Sequence, residues 1–499
     1  MVDAHVRRLL RRGLRVGALS ALLPILGRSP LAAASGFDVP TVGTSVSGPT
    51  TADAAAVHFN PAMLSGLERP QLLGAAQLIV GRVQYTRSRR GAYQYADGLE
   101  LEAPISPSAY DPSKTSTAAS VSTTPIAPSG YLFAAGPVIK DRLWLGGGLY
   151  APYAAVLDLP DDGAQRWQVI DATLLVSQAM FSVAVRAHDR VSLGASIGYV
   201  GTLLEMHRIQ DFAALETLGD ALAAPPISQQ NSLGPDAPTE VRELETLSRP
   251  IWLQRTIGHS VTFNAGVVVH PGKDIDLALS YQHGTRVRAK GRFVLDMDDP
   301  FFTTDLEAQG LDFPTRVEGT SRVTFRLPKR LTLGIGGPVH PKVRLDGVLT
   351  WSRWSDLEAF DITLDSEDFE QPALGLGAQQ SALIVRDFND ALDAKLQVRG
   401  AVGRSGQILG SVGYASPAAP SSRVDVITPD GHHVIASVGY RQQLPRQLAL
   451  IFDTTLNYMV PRRVEDSVAD LANGEYRFLL AAFGIHLQAT LPSPSAPSP

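Results

Sequence analysis

The chain has 499 residues, 44% apolar and 19% charged, with no cysteine. That suffices for one large domain or about two to three ordinary ones, and it excludes disulfide frameworks, cysteine-ligated zinc and thiol chemistry. Lys and Arg number 44 against 49 Asp and Glu, a net −5, and no basic stripe suggests a nucleic-acid footprint, so no nucleic-acid partner is expected. After the first thirty residues no apolar run approaches the roughly 18 residues a membrane-spanning helix needs, which excludes a helical membrane protein.

Arg7, Arg8, Arg11, Arg12 and Arg15 precede the apolar stretch Val16 to Leu26, and Ala32, Ala33 and Ala34 follow. A basic start, a short apolar centre and small residues are the marks of a signal peptide over 1–34, with export to the envelope. Its removal takes away six arginines and Asp3, leaving 38 basic against 48 acidic residues, or −10. The next segment, 35–70, is rich in Gly, Ser, Thr, Ala and Pro without sustained alternation, and is too short for a core of its own. Yet Val57, Phe59, Met63 and Leu64 surround Asn60 and Pro61, apolar residues that a solvated linker has no use for.

From residue 71 onward the pattern has a period of two. Strands are predicted at 71–87, 128–139, 143–157, 168–186, 191–208, 256–269, 275–295, 316–336, 343–355, 394–402, 407–414, 433–441, 448–459 and 476–488. In the fifth, Val191, Leu193, Ala195, Ile197 and Tyr199 interleave with Ser192, Gly194, Ser196 and Gly198. One face is greasy and the other small and polar. Joins alternate between tight turns, such as Lys140 to Arg142 and Gly403 to Gly406, and mostly long loops. Short turns on one side and long loops on the other are a property of outer-membrane barrels, whereas a soluble sandwich has no reason to sort its loops. The fold class is therefore all-β: a transmembrane antiparallel β-barrel of about 14 strands spanning 71–489, with a Ser/Pro-rich tail at 490–499. Trp144, Tyr150, Tyr153, Trp351, Trp354, Tyr414, Tyr440, Tyr458 and Tyr476 lie near strand ends and are expected to supply aromatic girdles.

The stretch Ala52 to Leu64, with a run of small residues before Phe59, Asn60, Pro61 and Ala62, resembles the hatch motif of the FadL/TodX (OMPP1) family of outer-membrane hydrophobic-compound transporters. Leu149-Tyr150-Ala151-Pro152-Tyr153 is similar to that family's kinked third strand, Thr350 to Ser355 to its ninth, and Arg386 to Asp390 before Lys395 to the segment leading into its tenth. The resemblance implies an N-terminal hatch, or plug, in the lumen. It further implies a monomer in the bacterial outer membrane, without cofactor, for passive uptake of long-chain fatty acids or other hydrophobic compounds. Capture would occur among extracellular loops, where Phe212, Leu215, Phe301 and Phe302 are candidates. Arg208 and Arg386 would contact a ligand head group, and Phe37 would enter a lumen pocket. Pro152 lacks a ladder N–H, so the kink at Tyr150, Ala151, Pro152 and Tyr153 would open a lateral gate to membrane lipid.

A general porin or a lipid-sensing receptor is the alternative. A lipid-modifying enzyme is not expected: His58, His432 and His433 lack a G-x-S-x-G nucleophile motif beside them. The last strand departs from the family pattern by running into a Ser/Pro tail, with Phe483 as the substitute for a terminal aromatic.

Overall fold

A computed structural model describes residues 42–87, 92–94, 100–102, 120–161, 163, 165–211, 248–272, 274–305, 307, 310, 312–372, 376–467 and 472–492. The expected signal peptide, Phe37, Phe212, Leu215, the side chain of Phe301 and residues 493–499 of the tail lie outside the described residues.

Alternation along each strand has the consequence read from the sequence: Leu193, Ile197 and Tyr199 are exposed on the outer wall, while Ser192 and Ser196 are buried. Fourteen antiparallel strands carry this pattern. They are β1 (Gln71–Arg87), β2 (Ser120–Thr123 and Ile126–Ile139), β3 (Leu143–Asp158), β4 (Asp171–His188), β5 (Val191–Asp211), β6 (Ser248–Val269) and β7 (Asp276–Gln282 and Arg286–Asp296). The second half comprises β8 (Arg316–Arg326 and Lys329–His340), β9 (Val343–Arg353 and Ala359–Asp365), β10 (Gln379–Val385 and Ala391–Val402), β11 (Gly406–Ala415), β12 (His433–Leu444), β13 (Leu448–Val464) and β14 (Gly474–Thr490). β1 pairs with β14 from Gln71↔Thr490 to Arg87↔Gly474, which closes the barrel between its first and last strands.

Every predicted strand has its counterpart. The upper segments Ala359–Asp365 and Gln379–Val385 were not expected, because the polar stretches that separate them from their lower halves read as loop. Tight turns at 140–142, 189–190, 341–342, 403–405 and 445–447 gather at one end, with Asp141 (φ 60°) and Gly403 (φ 62°) in the left-handed region that such turns need. This is the periplasmic end, and long connections such as 297–315 and 416–432 face outward.

The predicted girdle is corrected by strand parity. Trp351, Tyr414, Tyr440 and Tyr458 do point to lipid, but Trp144, Tyr150, Tyr153, Trp354 and Tyr476 fall on inward positions and are buried. They belong to two apolar clusters in the interior. The lower one joins Val57, Met63 and Leu64 to Leu73, Phe133 and Trp144; the upper, larger one includes Tyr85, Phe293, Phe325, Trp354, Phe360 and Phe478.

Candidate functional site

Residues 42–67 lie between opposite walls of the barrel. Ala56–Phe59 forms one helical turn, and Asn60 then caps the 3-10 turn Pro61–Gly66 by accepting the Ala62 N–H on Oδ1 at 3.1 Å. Its Nδ2 donates to the carbonyls of Pro49 (3.3 Å) and Val267 of β6 (3.4 Å). The wall is glycine where this turn abuts it: a Cβ at Gly194 or Gly266 would collide with Ala62 or Asn60. Trp144 Nε1 donates to Leu67 O (2.8 Å), Arg186 to Ser65 O (3.0 Å) and Gln282 to His58 O (2.7 Å). The earlier part of the segment bonds to the other side. Thr50 donates to Asp346 Oδ1 (2.8 Å), Gln397 to Ser47 O (3.0 Å), and the Ser45 N–H to Asp453 Oδ2 (2.6 Å). Asp346 is fully buried but paired with Arg344 and Arg399, so the charge is compensated. Burial pushes the Asp53 carboxyl up to about 6 against the pull of Arg399, and burial with Arg330 nearby pushes His58 down to about 3. His58 is thus a neutral ring, edge-on to Phe59 and Tyr150.

β3 breaks its pairing where the sequence places the kink. The β2–β3 ladder runs from Ile139↔Leu143 to Leu132↔Leu149 and stops. Beyond it, Ile126 to Tyr131 pair only with β1, and the upper half of β3 pairs only with β4. Between Tyr150↔Gln178 and Tyr153↔Val176 two residues, Ala151 and Pro152, stand against Ser177 alone. Above this bulge Tyr153, Ala154, Ala155 and Leu157 are all buried, so the outward face of the strand is covered too and alternation is lost. The Tyr153 ring meets Trp354 edge-on at 6.5 Å, and Trp354 meets Phe388 at 6.3 Å. Three segments singled out far apart in the sequence, 149–153, 350–355 and 386–390, therefore meet inside the barrel.

Arg386 sits in the break of β10, 1% exposed. Its Nη1 donates to Asp425 Oδ2 (2.6 Å) and Thr428 Oγ1 (3.1 Å), and its guanidinium lies 5.2 Å from the Phe360 ring. Nε and Nη2 have no hydrogen-bond partner among the described residues. Arg208, near the top of β5, donates to Gln210 Oε1 (2.6 Å) and lies close enough to feel the charges of both Asp425 and Arg386. The two predicted head-group arginines thus share one neighbourhood. Asp425 was missed, since a loop carboxylate far along the chain carries no spacing signal. Phe302 is buried and meets Phe313 edge-on at 6.1 Å. A cavity of about 250 Å³ lies beneath the kink, lined by Pro152, His58, Phe59, Arg330, Asp393 and Lys395 among others.

A closed fourteen-stranded barrel with an apolar outer wall, its interior crossed by its own N-terminal segment, is an outer-membrane barrel by architecture. Residues 28–483 match the family model described as outer membrane protein transport protein (OMPP1/FadL/TodX), and the chain belongs to that family of hydrophobic-compound transporters. A FadL homologue of Pseudomonas aeruginosa superposes with a TM-score of 0.71 at 18% identity, covering 91% of this chain and 99% of the other. The CymD monoaromatic hydrocarbon channel gives 0.61 at 14% identity (91% and 99% covered), and the toluene transporter TodX of Pseudomonas putida 0.59 at 15% (90% and 95%). A search of curated proteins by sequence gave no match.

Proposed function

We propose that the protein carries long-chain fatty acids or comparable hydrophobic compounds passively across the outer membrane, taking them from the extracellular loops into the lumen and releasing them sideways between β2 and β3. The observation that carries this reading is the unzipped upper half of β3: past Leu149 it has left β2, and in a closed barrel such a gap is a route from lumen to lipid. Residues 42–67 act as the hatch, and the charged lining beneath them offers an apolar cargo no downward path. A tail gains roughly 0.8 kcal/mol per buried methylene, so the upper apolar cluster suits it and a water-filled pore does not.

Arg208, Arg386 and Asp425 together carry a net charge of +1, which one carboxylate would balance. This favours an acid over a hydrocarbon as cargo. Proteoliposomes containing the protein should accumulate oleate well above empty vesicles and should not accumulate a disaccharide. Equal permeation of both would replace the transporter with a general porin.

A further inference from the structure

The outer wall carries a second feature, above the apolar band on β7 and β8. Going up β7, the outward residues are Ile275, Leu277 and Leu279, then Tyr281 and His283, the latter stacked on Phe263 at 4.4 Å. Above the break at Gly284 and Thr285 the exposed outward positions are all cationic: Arg286, Arg288, Lys290 and Arg292. On β8 the exposed Arg322 and Arg326 stand directly across, in the register Arg286↔Arg326 and Lys290↔Arg322. Arg292 is paired with Glu318, but Arg286, Arg288, Lys290, Arg322 and Arg326 form no ion pair with a described residue. On β9, the exposed Asp361 opposite Thr324 and the half-buried Asp365 opposite Thr320 are nearby carboxylates in no ion pair with a described residue, two against five cations.

Like charges directly opposite one another on a sheet repel and destabilise the pair. Here two such pairs face outward from a chain whose expected mature net charge is −10, and an anion lying between the strands would relieve both. The position identifies which anion. With a rise of about 3.3 Å per residue and a tilt near 40°, the four β7 cations span about 15 Å of height, from Arg286 just above the aromatic level to Arg292. A phospholipid offers one phosphate plane. A glycolipid with phosphates on its headgroup and on the sugars above it offers anionic groups at several heights.

We infer that this face of β7 and β8 is a docking site for the phosphorylated glycolipid of the outer leaflet, lipopolysaccharide. Arg286 and Arg326 take the headgroup phosphate next to the girdle, and Arg288, Lys290 and Arg322 take anionic groups of the inner sugars. Guanidinium groups suit this role because they bind phosphate through paired N–H donors. The site is remote from the lumen, so it is independent of the cargo.

The test uses the full-length protein in detergent with purified lipopolysaccharide, the same material after enzymatic dephosphorylation, and phosphatidylglycerol. The unfolding midpoint should rise with the phosphorylated glycolipid at least twice as far as with either other lipid. The variant combining Arg286→Gln, Lys290→Gln, Arg322→Gln and Arg326→Gln should lose that rise, and its copurifying glycolipid by native mass spectrometry should fall at least tenfold. A control carrying Lys140→Gln, Arg142→Gln and Arg404→Gln in the periplasmic turns should behave as the unaltered protein. Equal shifts with phosphorylated and dephosphorylated glycolipid would overturn the proposal, and that comparison needs no variant. So would an equal shift with phosphatidylglycerol, or undiminished glycolipid on the fourfold variant.

Discussion

Arg386 illustrates how a buried charge can be both structural and receptive. Its pairing with Asp425 compensates the cost of burial, yet the neighbouring Arg208 leaves the group one positive charge in excess. Neutralising Asp425 by Asp425→Asn raises that excess, and Arg386→Gln removes it. Hydrogen bonds to charged groups contribute about 1.5–3 kcal/mol, so Arg386→Gln should weaken binding of a fatty acid by roughly 10- to 100-fold. Binding of the alcohol of equal chain length should change little, while Asp425→Asn should shift the acid-to-alcohol ratio the other way. Titration calorimetry of both ligands reads that ratio directly, and a ratio unmoved by either substitution removes these arginines from the site. Asp53 offers a second test, through pH. Its carboxyl sits near 6 in the folded protein against an ordinary 3.8, so the folded state binds the extra proton, and the contribution of this group to holding the segment in place is full below pH 4 and lost as pH rises to about 6. His58, held down to about 3 against an ordinary 6.5, acts in the opposite sense, its contribution present above pH 6.5 and lost as pH falls. In a His58→Gln background, therefore, hydrogen exchange over residues 42–60, corrected for intrinsic rates, should be faster at pH 7.5 than at pH 4.5, and adding Asp53→Asn should abolish the difference.

Among the elements, β3 joins sequence to proposed function most directly. Pro152 supplies no N–H, and with Ala151 it makes two residues face one. Pro152→Ala restores the donor without removing the extra residue, and should lower uptake while ligand binding stays intact. Deleting Pro152 restores one-to-one register with β4 and should lower uptake further. Stopped-flow uptake into proteoliposomes, with binding measured in detergent, separates the two effects; unimpaired uptake by the deletion would exclude the lateral route. The strands themselves were legible because lipid forces strict alternation, as in Leu193, Ile197 and Tyr199 against Ser192 and Ser196. The kink was legible through a proline in the middle of a strand. Parity at strand ends was not: Trp354 and Tyr476 look like girdle residues until register turns them inward. Nor was Asp425, placed against Arg386 by a loop that only tertiary structure brings there. The outward cations of β7 escaped notice because Val287 and Ala289 are interleaved with them, so no basic run appears in the chain.

At the scale of the whole molecule, the lumen divides into an apolar upper half and a lower half where charged walls grip the N-terminal segment. Two exits are conceivable from such an interior: sideways above that segment, or downward by displacing it. The absence of native cysteine allows a clean choice between them with one engineered disulfide. A Cβ at Gly48 would lie 3.6 Å from Val348 Cγ2, which brings Gly48→Cys and Val348→Cys within disulfide reach across the interface of segment and wall. If cargo leaves between β2 and β3, oxidation locks the segment to β9 and fatty-acid uptake into proteoliposomes continues at the rate of the reduced form. If cargo passes the segment on its way down, oxidation stops uptake and a reductant restores it. Side-by-side rates of the oxidised and reduced variant therefore decide the direction of exit, independently of any substitution at the kink.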